Sequence, residues 1–582
     1  MDAMVAPRKR SRDLRRPAGA SAIERRGYHK SVARDPHSNS NPEVSRLRHL
    51  ELDLAVSFKE RVLRGTATLT LEPAGRTLVL DTRDLKILKV NGSESGWTLG
   101  ERDPILGSAL TIPLAAGARS VTIEYETSPE ASGLQWLDAA QTAGKRSPFL
   151  YSQSQAIHAR SWAPLQDTPS VRFTFSARIQ APAPLTPLMA AARLKDGHFH
   201  MPTPIPSYLL ALAVGELEFK PVGARCGIWA EPPVVEKAAR EFEDVEKMVE
   251  AAERLYGPYL WGRYDILVLP PSFPFGGMEN PRLTFATPTV IAGDKSLVAL
   301  VSHELAHSWS GNLVTNATWN DMWLNEGFTT YFERRIQEEI YGRARSEMEF
   351  ALEVGELQEE MKTLKPEDTR LAGDYAGRDP DDAMTQVPYV KGALMLRMLE
   401  EKYGRGRFDA FLRGYFERYA FQSITTREFL DELGRAFPGE DVSDWLNQPG
   451  LPARAPKIGY DFETAPKRTW STQEWLHYLR AFPEDLAASR MAELDRQWDF
   501  TASGNAEIAA QWLRMAVRAG YAPAYPRLER FLIEVGRRKF VRPLYLEMAK
   551  TAEGKQRARA IYGKARAGYH PITASTVDEI LK

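Results

Sequence analysis

From Leu50 the chain alternates. Leu50, Leu52, Leu54, Val56 and Phe58 are separated by polar residues, the period-two signature of a half-buried strand. Similar stretches recur at Val62–Leu71, Thr77–Leu80, Leu85–Val90, Ala109–Leu114, Val121–Tyr125 and Val171–Ile179. Turn signals such as Asn91-Gly92 and Ala116-Gly117 fall among them. Many short strands without long helices predict an all-β domain, sandwich-like or saddle-shaped, up to about residue 218.

The period then changes. Val235, Ala238, Phe242, Val245, Met248, Val249 and Ala252 fall near three- and four-residue spacing, which predicts one long helix over Val234–Tyr256. A buried strand follows at Tyr264–Leu269, stopped by Pro270-Pro271 and Pro274 before a Gly276-Gly277 turn. More helical pattern runs to about Asn447, giving a mixed α/β and helical domain. Pro449, Pro452 and Pro456 mark a linker. Beyond Thr472 the pattern reads helix, short turn, helix: Glu474–Ala481, Asp485–Trp498, Ala506–Ala519, Leu528–Arg538, Arg542–Thr551 and Lys555–Ala567. The expected division is a basic tail at 1–34, a β domain at 35–218, a mixed domain at 219–448, a linker at 449–470 and an all-α domain at 471–582.

Composition narrows the function classes. In 582 residues, 76 Lys plus Arg balance 76 Asp plus Glu, so no net positive field draws the chain to nucleic acid or an anionic membrane. The 43% hydrophobic and 26% charged content excludes wholesale disorder. A single cysteine, Cys226, excludes a disulfide framework and points to a reducing, cytoplasmic setting. Cys226 reads as a small buried residue, not a nucleophile. No apolar run approaches the ~18 residues of a membrane span. Residues 1–34 are basic but carry no apolar core, which reads as a solvated, disordered tail and not an export signal.

The chemistry sits in Val301-Ser302-His303-Glu304-Leu305-Ala306-His307. On a helix His303 and His307 lie one turn apart on the same side and can grip one Zn²⁺. Glu304, next to the first histidine, would reach the attacking water and not the metal. With only ten histidines, such a string arises by chance about once in a hundred chains of this length. A zinc site needs a third protein ligand. Eighteen residues separate His307 from Glu326, in Trp323-Leu324-Asn325-Glu326-Gly327-Phe328, and Phe328–Tyr341 reads as a second helix. Together they would make a His₂Glu site. Upstream, Phe275-Gly276-Gly277-Met278-Glu279-Asn280 would suit an exposed strand edge that pairs with a peptide main chain, with Glu279 beside the peptide's first residue.

G-G-M-E-N, then H-E-x-x-H, then a glutamate eighteen residues on, resembles the M1 family of zinc aminopeptidases. Phe273–Phe285, Thr287–Ser296, Ser308–Thr315, Gln153–His158, Gln166–Ser170 and Arg537–Leu544 resemble its leukotriene A-4 hydrolase branch. The likeness runs from about Asp35 to the end. It implies a multidomain α+β fold: an N-terminal β-saddle, a thermolysin-like (gluzincin) catalytic domain, and a C-terminal α-helical superhelix of armadillo/HEAT type. It implies a monomer holding one zinc, with His303, His307 and Glu326 as ligands and Glu304 as general base. It matches Glu279 to the carboxylate that holds the free α-amino group, with Gln155 as helper and Gln153, Gly276, Gly277 and Met278 beside it. Tyr389, in Val387-Pro388-Tyr389-Val390-Lys391-Gly392, matches the oxyanion-stabilising tyrosine. Arg537 and Lys539 match basic residues that receive the carboxylate end of a short peptide or fatty acid. His158 reads as structural.

Asp381 matches an aspartate that directs water in lipid epoxide opening. Met384, however, stands where the animal members of that branch have a tyrosine, Phe275 lacks the hydroxyl of its counterpart there, and Met322 replaces an aromatic residue near the third ligand. These changes alter polar handles and channel shape but leave the zinc set intact. The expected activity is therefore zinc-dependent removal of N-terminal residues from short peptides. Lipid epoxide hydrolysis, alone or in addition, is the alternative, and a non-enzymatic helical scaffold is a third reading.

Overall fold

The computed structural model describes residues 34–582. The basic segment read as a tail lies outside the described residues, apart from Arg34.

The alternating stretches form the predicted strands. A seven-stranded sheet runs in the order Ala192–Arg193, Phe199–Pro206, Arg172–Gln180, Ser45–Ser57, Val62–Ala74, Ser120–Glu126, Lys86–Val90. Ser45–Ser57 pairs antiparallel with Val62–Ala74 and parallel with Arg172–Gln180, with Leu50 opposite Leu69 and Leu52 opposite Ala67. That register places Leu50, Leu52 and Leu54 in the core, as the alternation requires. A four-stranded sheet (Thr186–Met189, Leu212–Gly215, Phe149–Ser152, Leu134–Leu137) ends one strand directly at Gln153, so the Gln153–His158 segment leaves the β region facing the catalytic half.

The candidate catalytic half is built on a five-stranded sheet in the order Glu218–Pro221, Cys226–Ala230, Tyr264–Val268, Leu283–Ala286, Gly277–Met278. Gly277–Met278 is the edge, antiparallel to Leu283–Ala286, so its outer side carries no strand partner. The single long helix expected over Val234–Tyr256 is instead two, Pro232–Glu241 and Val245–Tyr256. The break follows from Glu241. Its buried carboxylate accepts the backbone N–H groups of Ala292, Gly293 and Lys295, which fixes the helix end against that loop.

One apolar core runs from Leu47 to Leu446, joining the β region and the catalytic half. A second begins at Trp470 and ends at Leu581. The second core is a two-layer helical stack. Thr472–Arg480 packs on Ala506–Ala519, which packs on Arg538–Ala549, which packs on Pro571–Leu581; Tyr525–Glu534 packs on Ala552–Ala565 in the other layer. The last helix, Pro571–Leu581, was not anticipated. The helix expected over Leu528–Arg538 stops at Glu534, and the next starts at Arg538 and not Arg542. The reason is tertiary. Gly536 N–H donates to Pro271 C=O and Arg538 N–H to Pro274 C=O, both at 2.8 Å, holding Val535–Arg537 extended along the loop before Gly276. A Cβ on Gly536 would lie 2.8 Å from Ser272 O, so only glycine permits this approach. Among the described residues no helix is long and apolar enough to cross a membrane.

Candidate active site

His303 sits in the last turn of the helix Ala299–Ala306 and His307 caps it. Glu326 lies in the first turn of Trp323–Tyr341. Packing of these two helices brings His303 Nε2 to 3.4 Å and His307 Nε2 to 3.3 Å from Glu326 Oε2. One ligand atom from each of the three lies within 4.8 Å of the others. The opposite ring nitrogens are already engaged: His303 Nδ1–H donates to Glu333 at 3.0 Å and His307 Nδ1–H to Ser310 C=O at 2.8 Å. This leaves both Nε2 lone pairs converging on one point. Glu326 Oε2 is buried with no hydrogen-bond partner. Orphaned buried carboxylate oxygen is costly unless a cation takes it, and two imidazoles plus a carboxylate are a zinc donor set.

The site is strongly acidic. Burial works to lower the His307 imidazole, but the carboxylates of Glu279 and Glu326 outweigh it and raise it to about 9. Burial pushes the Glu304 carboxyl up to about 8 against the lowering pull of His303 and His307. Such a field favours added positive charge, which a divalent cation and a substrate ammonium would both supply.

The two glycines of G-G-M-E-N are contact points for other site residues. A Cβ on Gly277 would stand 2.2 Å from Glu304 Oε1, so Glu304 lodges in the space that glycine leaves at the sheet edge. A Cβ on Gly276 would stand 2.8 Å from Arg537 Nη2. Glu279, 4% exposed, is fixed through its backbone by Asn312, whose Nδ2 donates to Glu279 C=O at 2.8 Å. Its Oε1 has no partner. One carboxylate oxygen each from Glu279 and Glu304 lies within 4.8 Å of a His307 nitrogen.

Tyr389 lies in a π-helical turn, Val387–Lys391, that runs into the helix Gly392–Tyr403. Its ring stacks on His303 with centroids 5.9 Å apart. Two glycines set this placement. A Cβ on Gly327, next to Glu326, would lie 2.8 Å from Gly392 Cα and 3.0 Å from Pro388 O. Only a glycine-on-glycine contact lets the helix bearing Glu326 approach the turn bearing Tyr389 so closely. Behind the turn, Lys391 Nζ donates to Thr369 C=O and Gln448 C=O, and burial lowers its ammonium to about 8.

A cavity of about 770 Å³ collects these groups. Gln155, Gly276, Gly277, Glu279, His303, Glu304, His307, Glu326, Asp381, Tyr389, Arg537 and Lys539 all line it. Gln153 and Met278 do not. They back the wall, with Gln153 Nε2 donating to Met278 Sδ at 3.2 Å. Asp381 is held by His158 Nε2 at 3.0 Å and by the Ala156 N–H at 3.3 Å, giving His158 the structural part read from sequence. Met322, Tyr375 and Ala383 form a small apolar cluster, with Met384 and Tyr389 packed against it. Of the two hydroxyl-free residues, Met384 lines the cavity and Met322 lies buried in the cluster behind it. Cys226 is buried and free.

Sequence reasoning missed Glu333. It stands seven residues after Glu326, two turns along the same helix face, and that spacing could have flagged it. Its other oxygen accepts from buried Arg334, which also reaches Glu349 at 2.8 Å. Glu333→Gln is expected to weaken zinc affinity by about 10–100-fold while leaving the fold intact. Chelator competition measures this, and unchanged affinity would show that Glu333 does not support the metal ligand.

Models of three protein families match the chain in succession: peptidase M1 N-terminal domain over residues 46–209, peptidase family M1 domain over 240–448, and leukotriene A4 hydrolase, C-terminal, over 470–581. They correspond to the β region, the catalytic half and the helical stack. The chain is 38% identical to leukotriene A-4 hydrolase of Xenopus laevis, covering 93% of this chain and 98% of that protein. It is 36% identical to leucine aminopeptidase 2 of Yarrowia lipolytica, covering 95% and 94%. The structure of yeast LTA4 hydrolase in complex with bestatin superimposes with a TM-score of 0.88 at 34% identity, covering 97% of this chain and 99% of that one. Similarity of this extent makes the chain a member of the M1 family of zinc aminopeptidases, in the branch that holds the leukotriene A4 hydrolases.

Proposed function

We propose that the enzyme removes N-terminal residues from short peptides, with His303, His307 and Glu326 holding its zinc. The observation that carries this reading is Glu279 Oε1, a buried carboxylate oxygen without a partner beside the metal set. A substrate α-ammonium satisfies it, and pairing there places the first peptide bond, not an internal one, over the metal. When bound, zinc supplies Lewis-acid polarisation of the scissile carbonyl and makes an attacking water more acidic.

The chain's own groups do the rest. The open edge of Gly277–Met278 pairs with the substrate backbone and fixes its register. Glu304 takes the water's proton and returns it to the leaving amine. Tyr389 Oη–H donates to the oxyanion that develops on the carbonyl oxygen. Burial first, then the carboxylates of Glu326, Glu279 and Glu304, raise its pKa well above the ordinary tyrosine value, so the hydroxyl keeps its proton. Arg537 receives the substrate's free carboxylate at the far end, which favours short peptides over proteins. One free, buried cysteine supports a reducing, cytoplasmic setting, and the family resemblance supports a monomer. We keep the domain division at 35–218, 219–448 and 471–582.

Glu279→Ala is the deciding variant. On a panel of aminoacyl-arylamides, kcat/KM is expected to fall by about 100-fold for every free-amine substrate, with N-acetylated analogues inert in both proteins. Equal activity on free and acetylated substrates would defeat the exopeptidase reading. The position of Asp381 in the cavity wall supports the second reading, epoxide opening. Product analysis with an allylic epoxide fatty acid decides it, and only the non-enzymatic diols would dismiss it.

A further inference from the structure

We propose that Glu507 sets how strongly the enzyme selects for a free carboxylate at the far end of its substrate. The proposal rests on the aminopeptidase reading and on Arg537 as the carboxylate receptor.

Glu507 lies in the first turn of Ala506–Ala519, where the helix N-terminus favours negative charge. Its side chain is only 8% exposed. A single oxygen, Oε1, meets both cations at the far end of the cavity: Lys539 Nζ at 2.9 Å and Arg537 Nη1 at 3.6 Å. Arg537 Nη1 also donates to Thr289 Oγ1 at 3.1 Å. Arg537 Nη2, by contrast, lies against Gly276, and both residues line the cavity. The nearby Glu356 pairs with Arg480 at 2.6 Å and also acts on Lys539 and Arg537 from a greater distance. Arg537 and Lys539 are therefore not two equal cations. Glu507 engages Lys539 and one arm of Arg537, leaving the other arm to meet substrate, and its negative charge opposes an incoming carboxylate. Three cations (Arg480, Arg537, Lys539) and two anions (Glu356, Glu507) leave one net positive charge. Replacing Glu507 with glutamine would leave two, and would free Lys539 to join Arg537 on the carboxylate.

The test compares kcat/KM for a tripeptide with that for the same tripeptide carrying a C-terminal amide. In E507Q the ratio of acid to amide is expected to rise about five- to tenfold, through a lower KM for the acid. In K539M, which leaves Glu507 opposed to Arg537 alone, the ratio is expected to fall below wild type. That second variant keeps the test open should E507Q not fold. A merely structural role would lower activity on both substrates together and leave the ratio unmoved. An unchanged or lower ratio in E507Q, or an unchanged ratio in K539M, overturns the proposal. Wild-type enzyme that cleaves neither substrate would instead defeat the aminopeptidase reading, and a wild-type ratio insensitive to R537A would defeat the receptor on which the proposal stands.

Discussion

Glu304→Gln is expected to lower kcat by about 10³–10⁴-fold while zinc content and thermal stability stay at wild-type values. The size follows from position. Glu304 directly follows His303, the proposed first zinc ligand, is 5% exposed, and fills the space above Gly277 at the strand edge where substrate backbone would pair. Among the carboxylates of the site, Glu326 belongs to the proposed metal set, Glu333 is tied to His303 and Arg334, Asp381 is tied to His158 and the Ala156 N–H, and the orphan oxygen of Glu279 is assigned to the α-ammonium. That leaves Glu304 to take the proton. Glutamine has the same shape, so it keeps the contact with Gly277 but has no basic oxygen to accept and return a proton. KM is expected to change little, because the ground-state contacts proposed above run through Glu279, the sheet edge and Arg537. Steady-state kinetics with an aminoacyl-arylamide, alongside metal analysis, checks this. A zinc-loaded variant within tenfold of wild type would place the general base elsewhere.

The parts of this site that were legible in the sequence are the local ones. His303 and His307 are placed by the pitch of one helix, and the strand alternation from Leu50 was enough to give the β region. Glu326 is legible through its spacing from His307 and the helical pattern that follows it. What stayed hidden depends on packing between distant segments. Nothing local marks Gly327 and Gly392 as a contact pair, yet their approach is what brings Glu326 and Tyr389 to one site. The helix pattern ran on through Arg537 because its neighbours suit a helix. The actual break is imposed by hydrogen bonds to Pro271 and Pro274, more than 250 residues earlier in the chain. The Val234–Tyr256 pattern likewise could not show that Glu241 caps a loop some fifty residues on. Gln153 shares a motif with Gln155, but the turn after the strand Phe149–Ser152 sends only Gln155 into the cavity.

Tyr389→Phe is expected to cost about 10²–10³-fold in kcat with little change in KM. The phenyl ring keeps the stacking on His303 and the contact with the Met322 cluster, so the variant removes a hydroxyl and little else. That hydroxyl is held protonated by burial and by the surrounding carboxylates, which makes it a standing donor. A donor fixed in place costs no reorganisation when charge develops on the carbonyl oxygen, and in a buried site it is worth more than in water. Because the charge is absent from the bound substrate, the loss should fall on the transition state alone. Binding of a phosphonate peptide, whose oxygens imitate the developing oxyanion, is expected to weaken in parallel with kcat/KM, while binding of a product amino acid should not. A raised KM with kcat preserved would instead make Tyr389 a ground-state contact. The glycine contact behind it supplies a second check. Gly327→Ala forces apart the segments that carry Glu326 and Tyr389, so it should reduce zinc retention and kcat together, where Tyr389→Phe reduces kcat alone.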